Sequence, residues 1–421
     1  MKKVSLILAV IMLLAVAVCT TYLLTFQSVT RMASERVDAI EKQYDDTYGA
    51  YSRLFEVIRE FKEMYVRDID VSEDEIVDQL IYEYLYMTGD LYADYYTAEE
   101  LRQLEDDMNG RAVGIGVQVS YNPDEEAIDI FRVVSGSPAE AAGILPGDLI
   151  VGVKDKDGVW QKVSELGYNE SVNCVSGEEG TAAELEIKRS GEVKTLLFRI
   201  IRAPFISNTV TFKVTDADEK VGYVRVTEFD NTTPTGFSEA FDALLKKGCD
   251  SIVVDMRGNP GGYLTSVTDV LEMILPEGPM VRTIDKEGND IVICSASGQG
   301  PYRNVPIAVL VDENTASAAE LFSSSLQDYA KRGELNATIV GVQTYGKGSM
   351  QTTALLPDGS ALKVTYRLYC PPFSPNYDGV GVTPDIVVPM AEKWADRSVY
   401  LVPEAEDNQL AAAIEALHPA K

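Results

Sequence analysis

Lys2 and Lys3 are followed by a predominantly apolar run over residues 4–26 that carries no charge. At the helical rise this run covers about 34 Å, enough for roughly 30 Å of bilayer hydrocarbon. It predicts a membrane anchor over residues 1–27, with the lysines on the cytoplasmic side and the rest of the chain extracytoplasmic. A cleaved signal segment is the other reading. Over residues 28–109 apolar side chains recur at steps of three and four, among them Ile40, Tyr44, Tyr48, Tyr51, Phe55, Ile58 and Phe61. That spacing is one face of a helix, so a helical N-terminal region is expected, its stripe buried on the body of the protein or on a second copy in a homodimer. From residue 204 the pattern changes. Residues 221–226, 251–255, 306–311 and 338–341 read as short strands, and 235–247 and 318–330 as helices. A core of alternating strands and helices over 204–390, followed by a helical tail over 391–421, gives a multidomain α+β architecture.

The candidate chemistry lies at a predicted strand-to-helix transition. Ser317 stands in Asn314-Thr315-Ala316-Ser317-Ala318-Ala319-Glu320. A serine hydroxyl is a weak nucleophile until a base takes its proton. The chain has one histidine, His418, in a tail expected to fray, so a Ser-His-Asp site lacks an anchored imidazole. The expected base is a lysine whose pKa is lowered by burial, and Tyr345-Gly346-Lys347-Gly348-Ser349-Met350-Gln351 supplies it. Gln351, four residues after Lys347, is expected on the same face of a strand, where it holds the amine without adding a charge. The first N–H groups of a helix are unpaired, so the Ala318 N–H is a candidate oxyanion donor. A second is expected from Asn259-Pro260-Gly261-Gly262, either Gly261 or Gly262. Blander readings exist for each piece. Ser317-x-x-Glu320 is also a helix-capping box, Gly346-Lys347-Gly348 an ordinary turn, and Ser323, Ser324 and Ser325 small packing residues.

Composition narrows the partners. Acidic residues number 66 against 37 basic, a formal charge of −29, which repels nucleic acid. One histidine and no CxxC pair leave no zinc pattern, and no metal or other cofactor is implied. Cys174, Cys249, Cys294 and Cys370 are widely spaced; they read as lone thiols, with disulfides the alternative outside the cytoplasm.

Thr315-Ala316-Ser317-Ala318-Ala319-Glu320 followed by Tyr345-Gly346-Lys347-Gly348 and Gln351 resembles the C-terminal processing peptidases, or tail-specific proteases. The resemblance implies Ser317 as nucleophile, Lys347 as general base and Gln351 as the residue orienting the lysine, and it favours one of Gly261 and Gly262 as the second oxyanion donor. It departs at Ala319, where the family usually has a serine. Residues 110–203 resemble a PDZ domain. Gly114-Ile115-Gly116-Val117 is similar to its carboxylate-binding loop, and the longer run from Gly136 to Ile150 reads as a short helix capped by Ser137, with Pro138 at its first position and Gly143 at its exit. The strand–strand–helix repetition beyond 204 resembles the crotonase- and Clp-like core of these proteases. The segment from Cys370 to Tyr377 departs from the family pattern and is expected to line the substrate groove. These resemblances imply a membrane-tethered serine endopeptidase acting on protein or peptide C-terminal tails. The alternative is an inactive PDZ-containing binding or scaffold protein.

Overall fold

The computed structural model describes residues 31, 49, 51–67, 70–109, 111–123, 125–134, 136–206, 208–395 and 397–418. The expected anchor over 1–27 lies outside them, and no described helix is long and apolar enough to cross a membrane. The chain divides into Met1–Val77 and Asp78–Lys421. In the first unit residues 51–64 are helical; of the predicted stripe Tyr51, Phe55 and Phe61 are exposed and Ile58 is half-buried.

The region 28–109 is not helical throughout. Helices Glu73–Thr88 and Ala98–Met108 are separated by a strand, Asp94–Tyr96, which pairs antiparallel with residues 361–363. Its two tyrosines suit a pleated surface, and Tyr95 is buried there.

The core of the second unit is a six-stranded sheet in the order Val210–Val214, Val221–Val226, Ser251–Asp255, Ile307–Val311, Ala337–Gly341 and Ile386–Val387. The first pair is antiparallel and the rest are parallel. Side-chain alternation divides each central strand between two cores. Ile252, Val254, Ile307, Val309 and Val311 pack beneath helices Thr233–Lys246, Leu264–Glu272 and Ala318–Lys331. Val253, Ala308 and Leu310 face Leu410 and Ala413 of helix Asn408–Leu417. Burial on both faces explains why these strands read as continuous apolar runs.

A second, antiparallel sheet runs Asp94–Tyr96, Ala361–Cys370, Gly278–Ile284, Asp290–Ala296, with Ser349–Leu355 also paired to Ala361–Cys370. Residues 111–206 form a separate module. Five strands in the order Val117–Asn122, Ala127–Val133, Leu149–Lys154, Ala182–Lys188 and Leu196–Ile201 close over their own core, with Trp160–Lys162 added beside Leu149–Lys154. The helix Pro138–Ala142 is capped by Ser137 and leaves through Gly143 at φ 83°, as its sequence predicts. Gly114 does not belong to a loop. It ends the strand Arg111–Gly114, which pairs with Ala203–Ile206 where the chain enters and leaves the module.

The tail is ordered by charge. Arg257 is fully buried and bonds Asp255 through Nε at 2.9 Å and Asp407 through an NH2 nitrogen at 2.7 Å. Although burial opposes it, Arg225 and Arg257 hold the Asp255 carboxyl far below the usual carboxylate range. His418 is not frayed: its imidazole meets Asp218 at 2.9 Å and Asp250 at 3.0 Å, and those carboxylates raise its pKa. It lies beside Ser251, at the start of a parallel strand, whereas Ser317 follows the end of the neighbouring one. The histidine is therefore at the opposite end of the parallel strands from Ser317. The four described cysteines are free thiols.

Candidate active site

Neighbouring parallel strands end on one edge, so the loops after Ser251–Asp255 and Ile307–Val311 meet. Thr315 Oγ1 donates to the Met256 carbonyl at 3.0 Å, Gly258 N–H to Asp312 Oδ1 at 2.9 Å, and Ala316 N–H to the Asn259 carbonyl at 2.9 Å. Ser317 joins this loop to helix Ala318–Lys331 with φ 54° and ψ −118°. A residue with a Cβ held at such angles costs about 1–3 kcal/mol, so the surrounding bonds must enforce it.

Glu320 does much of that enforcing. It is completely buried, and its carboxylate accepts from Ser317 N–H at 2.8 Å, Lys347 N–H at 2.8 Å, Gly346 N–H at 2.7 Å and Thr344 Oγ1 at 2.6 Å. Its bond to Ser317 is the carboxylate half of the capping box foreseen from sequence; its bonds to residues 344–347 were not foreseen. One side chain thus fixes the backbones of both candidate catalytic residues. Burial pushes its pKa up and the four donors pull against that push.

Lys347 enters from the antiparallel sheet, two residues before Ser349–Leu355. Its Nζ lies 4.4 Å from the centroid of the Tyr92 ring and makes no hydrogen bond to Ser317 Oγ among the described residues. Burial, then the nearby Lys363 ammonium, lower its pKa, while Asp90 and Glu320 work in the opposite direction. Gln351 departs from expectation. Lys347 precedes the strand and a β-bulge falls between Met350 and Gln351, so the two do not share a strand face. Gln351 Nε2 instead donates to Ser349 Oγ at 3.0 Å and Thr365 Oγ1 at 3.1 Å.

The two glycines separate clearly. Gly261 donates its N–H to Asn259 Oδ1 at 2.8 Å, so that donor is occupied. Its φ is 113°, and a Cβ there would lie 2.7 Å from Ser317 Cβ. Gly262, by contrast, lines the same cavity as Ser317, Ala318, Lys347 and Gln351, about 700 Å³ in volume. Leu101, Leu104 and Met108, from a helix that sequence reading gave no role, complete its apolar wall. Residues 370–377 do not line it. Asn376 Nδ2 donates to the Gly348 and Tyr369 carbonyls, so this segment backs the lysine loop rather than forming the groove.

Three tyrosines were missed by sequence reading. Tyr92 lies beneath the lysine. Tyr377 donates to the Ser317 carbonyl at 3.3 Å, and the Tyr369 hydroxyl lies 3.1 Å from Ser317 Oγ. Tyr377 ends the segment from Cys370 that the sequence places at the groove, and Tyr92 lies in the segment from Thr88 to Tyr96, which resembles one in the C-terminal processing peptidases; neither reading gave the tyrosine a role, and nothing singles out Tyr369.

The arrangement brings a strained serine, a lysine of lowered pKa and helix N-terminal donors to one partly apolar cavity. Residues 220–388 match the family described as Peptidase family S41. The chain is 33% identical over 310 residues to a carboxyl-terminal-processing protease of Picosynechococcus sp., covering 73% of this chain and 72% of that one. It is 30% identical over 362 residues to a carboxy-terminal-processing protease of Bartonella bacilliformis, covering 85% and 79%. Among solved structures, the photosystem II D1 C-terminal processing protease is similar at TM-score 0.50 and 28% identity, over 80% of this chain and 86% of that one. The chain belongs to peptidase family S41, the carboxyl-terminal-processing serine peptidases.

Proposed function

We propose that this peptidase cleaves protein substrates presented by their C-terminal tails, with Ser317 as nucleophile and Lys347 as general base. The observation that carries the reading is the convergence of both residues, from two different sheets, on one cavity, tied through the Glu320 carboxylate. In the resting arrangement the ammonium of Lys347 rests on the Tyr92 ring, a contact that favours the cation. Loss of the proton weakens that contact and frees the neutral amine to reach Ser317 Oγ. As Ser317 attacks the scissile carbonyl, its proton passes to the amine, and the N–H groups of Ala318 and Gly262 receive the developing oxyanion. Gln351 acts through Ser349 and Thr365, keeping the lysine strand in register.

The module of residues 111–206 reads as a PDZ domain that delivers the tail. Val117–Asn122 is an edge strand, open to pairing with an extended peptide. The Ile115 and Gly116 carbonyls accept from Ala139 and Val134, and their N–H groups, unpartnered among the described residues, suit a terminal carboxylate. The core of 204–390 is read as crotonase-like. Residues 1–27 are read as a single-pass anchor that leaves the catalytic unit extracytoplasmic, and the exposed stripe of residues 51–64 as a dimer contact.

Ser317→Ala tests the assignment: cleavage of an apolar-tailed protein should cease while the free-acid tail still binds the module better than its amide. Near-normal turnover by this variant would sink it.

A further inference from the structure

We propose that Tyr369 is a further catalytic residue, whose hydroxyl donates a hydrogen bond to Ser317 Oγ and stabilises that oxygen as the serine proton leaves. The proposal rests on the reading of Ser317 as nucleophile.

Tyr369 stands at the end of strand Ala361–Cys370, and both its ring and its backbone are fixed. Its N–H donates to the Gly348 carbonyl at 3.0 Å, its carbonyl accepts from Asn376 Nδ2 at 2.6 Å, and its ring meets Tyr377 edge-on at 5.8 Å. The side chain is almost fully buried, yet it borders the cavity that holds Ser317 and Lys347. The hydroxyl is 3.1 Å from Ser317 Oγ and 2.8 Å from the Lys347 carbonyl oxygen.

A phenol has one proton, and here two oxygens compete for it. A carbonyl can only accept. When the phenol proton lies on the Lys347 carbonyl, the contact with Ser317 must carry the serine's own proton, aimed at a phenol oxygen far too weak a base to take it. When the phenol proton lies on Ser317 Oγ, the serine proton is free to go to the amine. The two arrangements differ by rotation of one O–H bond, and the second is the reactive one. In it, Ser317 Oγ forms a bond to the scissile carbonyl carbon, the carbonyl π pair moves onto its oxygen, and the serine proton passes to the neutral Lys347 amine. Tyr369 keeps its proton throughout. The tetrahedral adduct then breaks its C–N bond, and the leaving amine takes the transferred serine proton from the Lys347 ammonium. In the second half-reaction a water oxygen bonds the acyl carbon as its proton passes to the neutral Lys347 amine, and Oγ leaves with the proton that Lys347 returns to it, the same phenol donor supporting it. Both half-reactions therefore draw on one hydroxyl. Burial raises the Tyr369 pKa well above its ordinary value, so the group remains a donor through the working pH range.

Tyr369→Phe removes the hydroxyl and keeps the ring. Losing a donor to a charge-developing oxygen should lower kcat roughly 10²-fold with KM nearly unchanged. Labelling of Ser317 by a small fluorophosphonate, which needs no seated substrate, should slow by a similar factor. A ring-fluorinated tyrosine at 369 retains the hydroxyl, guards against a folding defect in the phenylalanine variant, and should bring an alkaline fall in rate to lower pH than in the wild type. A wild-type labelling rate in Tyr369→Phe, or an alkaline limb that the fluorinated residue does not move, overturns the proposal. Ser317→Ala separates the two ideas: residual turnover there refutes the nucleophile itself, whereas an inert Ser317→Ala beside a wild-type-like Tyr369→Phe refutes only the role of Tyr369.

Discussion

Glu320→Gln would test whether one buried carboxylate really holds the two halves of the site together. Oε2 accepts from the N–H groups of Ser317 and Lys347, and Oε1 from Gly346 N–H and Thr344 Oγ1. An amide nitrogen placed at Oε2 would face two backbone donors and leave both unpaired. Placed at Oε1 it faces Gly346 N–H and a hydroxyl. That hydroxyl already accepts from Val382 N–H, though it has a second lone pair to offer the amide. The glutamine therefore takes the second orientation and orphans one buried N–H, at a cost of about 1–3 kcal/mol. Denaturation with urea should show a lower midpoint with unchanged slope. The substitution also removes a negative charge that raises the Lys347 pKa. The rise of kcat with pH should therefore shift to lower pH, while the plateau falls because Ser317 and Lys347 are less firmly placed. A variant of undiminished stability, or one whose pH profile moves upward, would refute this account of Glu320.

Lys347→Met should abolish turnover and yet stabilise the protein at neutral pH. The folded lysine has a depressed pKa, so below it the wild type bears a half-buried charge that the variant lacks. The excess stability should be full below the folded pKa and vanish as pH rises towards the unfolded value of about 10.4; melts across that window would check it, and a destabilised variant at pH 7 would contradict it. Gly261→Ala should cost activity at least 10²-fold, because its methyl would meet Ser317 Cβ at 2.7 Å, in a backbone conformation alanine resists; turnover within a few-fold of wild type would mean the loop yields freely.

The two proposed catalytic groups are legible as candidates because each sits in a short run of small residues near a predictable strand end. Ser317 follows a strand that reads as buried on both faces, and Lys347 lies between glycines. What was hidden depends on contacts distant in sequence. Tyr369 is 52 residues from Ser317 and belongs to the other sheet, so nothing in its surroundings announces its partner. Gln351 was misplaced because a bulge is invisible in a count of four. The choice between Gly261 and Gly262 was open from spacing, although Asn259 followed two residues later by Gly261 fits an Asx turn that would occupy the first N–H. His418 was expected to fray by its position, and two carboxylates at the start of the sheet override that expectation. The strand Asp94–Tyr96 was absorbed into a helical region since three residues cannot establish a period.

A lysine proposed as a base is hard to deprotonate in a chain of net charge −29, because any free carboxylate nearby would pair with the ammonium and raise its pKa. The site solves this by committing its acids to other donors. Asp90 accepts from Tyr92 N–H at 3.0 Å, Thr365 N–H at 3.1 Å and Thr365 Oγ1 at 3.0 Å. Glu320 is saturated by its four donors. Neither forms an ion pair with Lys347, and no other acid does so among the described residues. Each carboxylate still raises the lysine's pKa through space, but burial and Lys363 outweigh them. The same hydrogen bonds that saturate the acids fix Ser317, Lys347 and the strand carrying Gln351. Positioning the two proposed catalytic residues and limiting the rise of the lysine's pKa are thus achieved by one set of contacts, so a change to Glu320 or Asp90 should disturb both at once.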